Sequence, residues 1–138
     1  MIAFLVTSRI LDHSGQILTL AFGIAAVSPP LVYAGLASVI GALGAFMTSS
    51  STASCVLFGG VQNSVAQLHG MSRETIIAAQ AAGSAYGNAI APANIVLGTS
   101  VAGASGQEGA VLRLTMPWTI VVAVLTGAAT IAMVIFAR

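Results

Sequence analysis

Long apolar stretches fill most of this chain, and short clusters of charged or titratable residues separate them. These clusters are Arg9, Asp12 and His13, then His69, Arg73 and Glu74, then Glu108 and Arg113, and finally Arg138. A helix of ~20 apolar residues is long enough to cross a lipid bilayer. The pattern therefore predicts an all-α integral membrane protein, in which residues 1–138 form a single membrane region.

Two of the apolar stretches have the length of complete transmembrane helices. Residues 15–34 form the first, and Pro29 and Pro30 lie near its end, where a helix can stop without losing many internal hydrogen bonds. Residues 116–137 form the second, with Trp118 near one boundary, where an indole ring suits the membrane–water interface. We expect a transmembrane helix at each.

The stretch 35–66 is interrupted by a polar centre. Small hydroxyl residues are concentrated at 48–54, and each apolar arm has about 12 residues, or roughly 18 Å of helix, against a hydrocarbon core of ~30 Å. This pattern predicts a re-entrant helical hairpin with its tip at 48–54, which enters and leaves the membrane on the same side. The alternative is one continuous helix over 36–57 whose Ser and Thr side chains bond back to the backbone.

A second interrupted stretch covers residues 75–103. Its middle contains four residues that break a helix or tolerate unwound backbone: Gly87, Asn88, Pro92 and Asn94. They predict a broken transmembrane helix with the break at 87–94, between half-helices at 75–86 and 95–103. A proline-kinked helix without a functional break is the alternative.

Composition removes several classes of protein. The chain has four Arg, three acidic residues and no Lys, so 5% of its residues are charged, against roughly 25% in a typical soluble domain. Hydrophobic residues make up 57%, and the mean hydropathy is +1.01. A soluble domain is therefore excluded, and nucleic acid is not an expected partner because there is no basic patch. The single cysteine, Cys55, excludes an intrachain disulfide and a cysteine metal cluster, and we expect no metal or cofactor.

Two discontinuous helices in one short chain are typical of secondary transporters. The N-terminus of a half-helix presents N–H groups and partial positive charge to an anion, so a binding site can form without intramembrane charge. The candidate substrate-binding residues lie at the tip and at the break; they are Ser50, Ser51, Thr52, Ser54, Asn88 and Asn94. Close helix packing is the other role open to the hydroxyl residues, and helix capping is the other role open to the asparagines.

The remaining polar residues are weaker candidates. Gln80 lies in an apolar run, where an interhelical hydrogen bond is the expected role. The titratable side chains all fall in predicted connections, where solvated loop residues are common; they are Asp12, His13, His69, Glu74 and Glu108. If a carrier of this kind uses an ionisable coupling group in the membrane interior, we therefore expect that group to lie outside this chain.

Three segments resemble the lactate permease family. The segment IGALGAFMTSSSTASCVLFGGVQ (Ile40–Gln62) is similar to the family's G-x-x-G-A-F-x-x-G-S-N-T-x-S-N motif and the small-residue helix that follows it. The segment AQAAGSAYGNAIAPANIVLGTSVAG (Ala79–Gly103) is similar to the family's Q-x-x-G-x-x-x-G-N-x-I-x-x-x-N stretch. GQEGAVLRLT (Gly106–Thr115) is similar to its G-x-E-G-x-x-x-R-x-T run before the last helix. The order and spacing of the three agree with the family, and residues 9–35 fit its preceding span more loosely.

The resemblance implies a membrane carrier that moves short 2-hydroxy monocarboxylates, lactate and glycolate, by proton symport. It implies transmembrane helices with a re-entrant helical hairpin and a discontinuous helix, like one repeat of an inverted-repeat carrier of the ion-transporter type. The chain departs from the family at the tip, where Ser51 and Cys55 stand in place of asparagines. A hydroxyl is shorter than a carboxamide and offers fewer hydrogen bonds, so these departures imply altered specificity or a decayed copy.

Family members are several times longer, and the chain begins within an apolar run, Ile2 to Val6. We therefore expect a C-terminal fragment or truncated form of a permease, multi-pass in the plasma membrane, which is the inner membrane in a bacterium. Its expected partners are lactate or glycolate, protons, the lipid bilayer, and the missing part of the permease or another copy. The alternatives are a small membrane protein that acts only with partner subunits and a non-functional remnant. An intramembrane enzyme is disfavoured because the sequence places no catalytic triad, HExxH motif or acidic pair at membrane depth.

Overall fold

The computed structural model describes residues 2–136, and these residues form seven α-helices and no strand. In chain order the helices are α1 (Ile2–His13), α2 (Gln16–Val27), α3 (Pro30–Thr48), α4 (Ser51–Leu68), α5 (Arg73–Ala89), α6 (Pro92–Val101) and α7 (Glu108–Phe136). The prediction of an all-helical protein is confirmed for this part of the chain.

Two of these helices, α3 and α7, are long and apolar enough to cross a membrane. A third crossing is possible by length and composition if α1 and α2, which meet at an angle of 71°, form one bent span. Large apolar side chains cover the outward surface of α7, where Trp118 is 73% exposed and Leu125 63%. Lipid acyl chains are the solvent that suits such a surface.

The first predicted transmembrane helix, residues 15–34, differs from the structure. α2 ends at Val27, Ser28 has extended backbone angles, and α3 begins at Pro30. Proline suits the first position of a helix, because its missing N–H would have no intrahelical partner there and its φ is already helical. Pro29 and Pro30 therefore start a helix here instead of ending one.

The second predicted element, 35–66, is two helices joined by Ser49 and Ser50, and the single continuous helix considered as an alternative is wrong. The estimate of arm length is also wrong, because α3 has 19 residues and α4 has 18. α3 is longer because it starts at Pro30, within the span predicted before it, and α4 is longer because it starts at Ser51, inside the predicted tip, and ends at Leu68. At ~1.5 Å per residue, α3 is roughly 28 Å long. The re-entrant arrangement itself stays a prediction.

The two remaining elements differ from expectation mainly in their boundaries. Between α5 and α6 the helix is interrupted at only two residues, Ile90 and Ala91, within the predicted 87–94. The last helix starts at Glu108, well before the predicted 116, and contains Pro117 in its interior. Residue 137, the predicted end of that helix, lies outside the described residues.

α3 is the central helix and packs against α4, α5 and α7. Glycines on α5 bring its backbone into direct contact with α3: a Cβ at Gly83 would meet the carbonyl oxygen of Ser38, and one at Gly87 would meet the backbone of Ala42. Small residues allow this approach, which supplies van der Waals contact between membrane helices. Because Gly83 faces Ser38 and Gly87 faces Ala42, α3 and α5 run parallel.

The parallel arrangement places two irregular segments at one end of the bundle. α4 runs antiparallel to α3, since Gln62 bonds to Ala37 and Ser54 bonds to Gly41. The C-terminus of α3, the start of α4 and the interruption between α5 and α6 therefore lie at the same end. The N-termini of α4 and α6 both begin there.

Candidate functional site

The tip of the α3–α4 hairpin is built from hydroxyl residues that bond to their own backbone. Ser49 has a left-handed backbone (φ 52°), and the Thr48 hydroxyl can donate to the carbonyl of Gly44 at 2.8 Å or of Ser50 at 3.0 Å. The Ser50 hydroxyl caps α4 by accepting from the Ala53 N–H at 3.2 Å. This reverses the chain direction in two residues.

Capping leaves the first two helical residues of α4 with N–H groups that have no intrahelical partner. The first turn of a helix cannot bond its own N–H groups, and Ser50 satisfies only that of Ala53. Those of Ser51 and Thr52 remain; Ser51 is half-buried and Thr52 is exposed. Both residues therefore present an N–H and a hydroxyl at the tip, a donor set suited to an anion.

Ser54 lies one turn further along α4 and has a different environment. It is fully buried, its hydroxyl donates to the carbonyl of Gly41 at 2.9 Å, and it accepts from Gln80 Nε2 at 3.2 Å. The side chain thus joins α3, α4 and α5 beneath the tip, and has no surface at the tip itself.

At the interruption between α5 and α6, the two predicted asparagines bond to each other. Asn94 Nδ2 lies 2.8 Å from both the carbonyl oxygen and the side-chain oxygen of Asn88. Asn94 therefore caps the end of α5 from the first turn of α6, so the capping role considered as an alternative is observed. Both side chains are half-buried. Within residues 2–136, no hydrogen bond joins these two asparagines to the four candidate residues near the tip.

A chain of hydrogen bonds between buried side chains crosses three helices below the tip. Tyr33 donates to Gln62 Oε1 at 2.6 Å, Gln62 Nε2 donates to Gln80 Oε1 at 2.9 Å, and Gln80 Nε2 donates to Ser54. Each of the four side chains is at most 2% exposed. The expected interhelical role of Gln80 is thus observed.

Sequence reasoning missed two members of this chain, Gln62 and Tyr33. The signal for Gln62 was available, since it is a carboxamide within the small apolar residues of α4, the same criterion that singled out Gln80. Tyr33 gave no such signal, because it lay at the end of a span that was drawn across Pro29 and Pro30.

The titratable candidates lie at helix ends. They comprise Asp12 and His13 in the last turn of α1, His69 after α4, Glu74 in the first turn of α5 and Glu108 in the first turn of α7. Several therefore belong to helices, not to the predicted connections. His69 and Glu74 occupy the ends of α4 and α5 that are remote from the tip and the interruption.

Glu74 is held in its ionised form by local hydrogen bonds. Its own backbone N–H, followed by the Ser72 hydroxyl at 3.0 Å, lowers the pKa of the carboxyl below its ordinary value. Glu108 likewise has local partners, accepting from the Gly106 N–H at 2.9 Å and the Thr99 hydroxyl at 3.1 Å. Both carboxylates stabilise the start of a helix.

The amino-acid sequence is similar to those of several bacterial permeases. The chain is 40% identical over 79 residues to a putative L-lactate permease of Haemophilus influenzae, a match that covers 57% of this chain and 15% of that protein. It is 30% identical to the glycolate permease GlcA of Escherichia coli, over 87% of this chain and 21% of that protein. It is also 30% identical to the L-lactate permease of Escherichia coli, over 86% and 21% respectively.

The matched regions thus correspond to about a fifth or less of the length of these relatives. No solved structure matches the chain. Residues 1–136 match the family model for L-lactate permease, which is nearly the whole sequence. The chain therefore belongs to the L-lactate permease family.

Proposed function

We propose that this chain forms part of a carrier that moves lactate, glycolate or a similar short 2-hydroxy monocarboxylate across the plasma membrane by proton symport. Its relatives are named as permeases for L-lactate and glycolate, which supports the choice of substrate class. The main structural support is that the N-termini of α4 and α6 begin at the same end of the α3–α5 pair.

In this proposal the substrate carboxylate binds at the start of α4. The N–H groups of Ser51 and Thr52 and their hydroxyls donate to it, and the Ser50 cap fixes the orientation of that turn. A helix N-terminus stabilises an anion by ~0.3–1 kcal/mol at an exposed site and by more when partly buried. No lysine or arginine is needed at membrane depth, where each is costly.

The interruption between α5 and α6 supplies the second half of the proposed site. Asn88 and Asn94 carry carboxamides that can both donate and accept, which suits the 2-hydroxyl of the substrate. Their mutual hydrogen bond holds the two amides across the interruption, so capping and binding are compatible. Ser54 lies beneath the tip and contributes to the site by holding the tip in place, through its hydrogen bonds to the Gly41 carbonyl and Gln80.

The proposed topology keeps the arrangement predicted from the sequence, with the helix boundaries of the structure. α3 and α4 form a re-entrant hairpin, α5 and α6 form a broken transmembrane helix, α7 crosses the membrane, and α1 with α2 form a bent crossing. The chain corresponds to a fraction of its relatives' length, and the remaining helices of a permease, or a second copy, would cover its exposed apolar faces. This is the expected partner, and the bilayer is the expected surrounding.

Uptake measurements test the substrate class. Cells without lactate and glycolate uptake of their own would express this protein from its complete reading frame and receive radiolabelled L-lactate or glycolate. We expect uptake that rises with an inward proton gradient. Uptake should fall in the variant Ser51→Pro, which removes an N–H and a hydroxyl at the tip. Proline is tolerated at the first position of a helix, so α4 should still form. The proposal is wrong if the protein is in the membrane and neither substrate accumulates.

A further inference from the structure

The buried side chains of Tyr33, Gln62, Gln80 and Ser54 form a continuous link between the hairpin and α5. The bonds at Gln80 join α4 to α5 directly below the tip, since Nε2 approaches the Ser54 hydroxyl at 3.2 Å and the Ser54 carbonyl at 3.4 Å. The bond from Gln62 to Gln80 adds a second connection two turns further along α4. Each of these side chains is at most 2% exposed, so the link lies within the protein and not on its surface.

The link also extends to the central helix. Gln62 Nε2 donates to the carbonyl of Ala37 at 3.0 Å, and Ser54 donates to that of Gly41 at 2.9 Å. Both amides therefore use their donors and acceptors within the protein, and a well-satisfied buried network of this kind makes an arrangement of helices specific. Loss of one member leaves its partner unpaired in an environment without water, which is costly.

We propose that Gln80, supported by Gln62, is a positioning residue that holds the hairpin tip at a fixed level against α5. This inference rests on the proposed function, since the proposed function assigns the two halves of the substrate site to the tip and to the interruption after α5. Ser54 lies one turn from Ser51, and Gln80 lies on the helix that leads to Asn88. A hydrogen bond between Ser54 and Gln80 therefore sets the spacing of the two half-sites.

Two substitutions at Gln80 separate hydrogen bonding from packing. Gln80→Met keeps the length of the side chain and removes its hydrogen bonds to Gln62 and to the hydroxyl and carbonyl of Ser54. Gln80→Glu keeps an acceptor for Gln62, and its protonated form, which burial favours, keeps a donor for Ser54. Gln67→Met is the matched control, because Gln67 is an exposed glutamine on α4 outside the network.

Substrate affinity is the first measurement. We expect Gln80→Met to raise the KM for uptake by roughly three- to tenfold, the factor that corresponds to one net hydrogen bond. Gln80→Glu should return the KM to near the wild-type value at pH 6 and less so at pH 8. Gln67→Met should leave it unchanged. An equal KM in wild type and Gln80→Met overturns the proposal, as does a rise in Gln80→Met that Gln80→Glu does not reduce at pH 6.

Labelling of Cys55 provides a measurement that does not depend on the substrate. Its thiol lies 3.5 Å from the Ser84 hydroxyl, in the contact between α4 and α5 next to Ser54. We expect Gln80→Met to increase the rate at which a maleimide modifies Cys55, measured by mass spectrometry of that peptide in the membrane-inserted protein. Gln67→Met should label like wild type, and an unchanged rate in Gln80→Met overturns the proposal.

The two measurements distinguish the possible failures. If the wild-type protein takes up neither lactate nor glycolate, the proposed function fails, and Cys55 labelling alone decides the positioning role. If Gln80→Met does not reach the membrane, Tyr33→Phe replaces it, since this variant removes only the hydroxyl that donates to Gln62. Faster Cys55 labelling in Tyr33→Phe supports the link, and wild-type labelling contradicts it.

Discussion

At the scale of single residues, the hydroxyl groups near the tip have two distinct roles. Ser50 and Thr48 bond to local backbone and set the turn, whereas Ser54 bonds to other helices. The hydroxyls of Ser51 and Thr52 have neither role, and in the proposed function they contact the substrate. The sequence shows only a run of similar small residues, so the division depends on where the helix begins.

The cap at Ser50 leads to a prediction for stability. Ser50→Ala removes the oxygen that accepts the Ala53 N–H, and loss of a serine cap typically costs ~1 kcal/mol. We expect a lower midpoint of thermal unfolding for the purified protein in detergent. The midpoint is measured from the loss of the helical circular dichroism signal on heating.

Thr52→Ala is the control for this prediction, since Thr52 is exposed in the first turn of the same helix. Its midpoint should match that of wild type. Equal midpoints for Ser50→Ala and wild type would show that the cap does not stabilise α4.

At the scale of helices, the sequence predicted where the chain is interrupted better than it predicted where helices begin. The hydroxyl run at 48–54 and the breakers at 87–94 contain the observed interruptions, because local residue chemistry determines both. The prediction that Pro29 and Pro30 lie near the end of a helix is wrong, since proline is common both after the end of one helix and at the start of the next. The backbone shows that this segment belongs to α3, because the Tyr33 N–H donates to the Pro29 carbonyl at 3.0 Å in the first turn of that helix.

The hydrogen bonds between helices were harder to predict for a different reason. Gln80 was identifiable as a polar residue in an apolar run, but its partners lie 18 and 26 positions away in sequence. A single sequence contains no information on which distant residues meet. The composition therefore predicts that such amides need partners, and the three-dimensional structure identifies them.

Close packing of α3 and α5 gives a prediction for Gly83. Its replacement by alanine would place a methyl group against the Ser38 carbonyl and force the two backbones apart. Overpacking of this kind typically costs ~1–3 kcal/mol. We expect Gly83→Ala to lower the thermal midpoint in detergent and to weaken uptake.

Gly59→Ala provides the comparison, because a Cβ at Gly59 would meet nothing within 4 Å and alanine favours the helix. This variant should be as stable as wild type or slightly more so. If Gly83→Ala were as stable as Gly59→Ala, the backbone contact between α3 and α5 would not be tight in solution.

At the scale of the whole molecule, α3 and α5 run parallel and α4 runs antiparallel to them. This brings the α3–α4 turn and the α5–α6 interruption to one end of the bundle. The parallel packing of α3 and α5 is the cause, because it aligns the end of α3 with the end of α5. α4 and α6 then both begin at this end, and the first turn of neither helix contains a charged residue. A carrier can use such a pair of helix ends to bind an anion in an apolar environment.

This arrangement predicts that one substrate protects both half-sites. In a background in which Cys55 is replaced by serine, cysteine would be introduced singly by Thr52→Cys at the tip or by Asn88→Cys at the interruption. We expect L-lactate or glycolate to slow maleimide labelling at both positions, because a bound carboxylate lies against the start of α4 while its hydroxyl contacts the other half-site. Leu97→Cys, on the exposed surface of α6, should label at the same rate with and without substrate.

Protection at Thr52→Cys alone would place the anion at the tip and remove the interruption from the site. Protection at neither position, in protein that still takes up substrate, would move the site away from both.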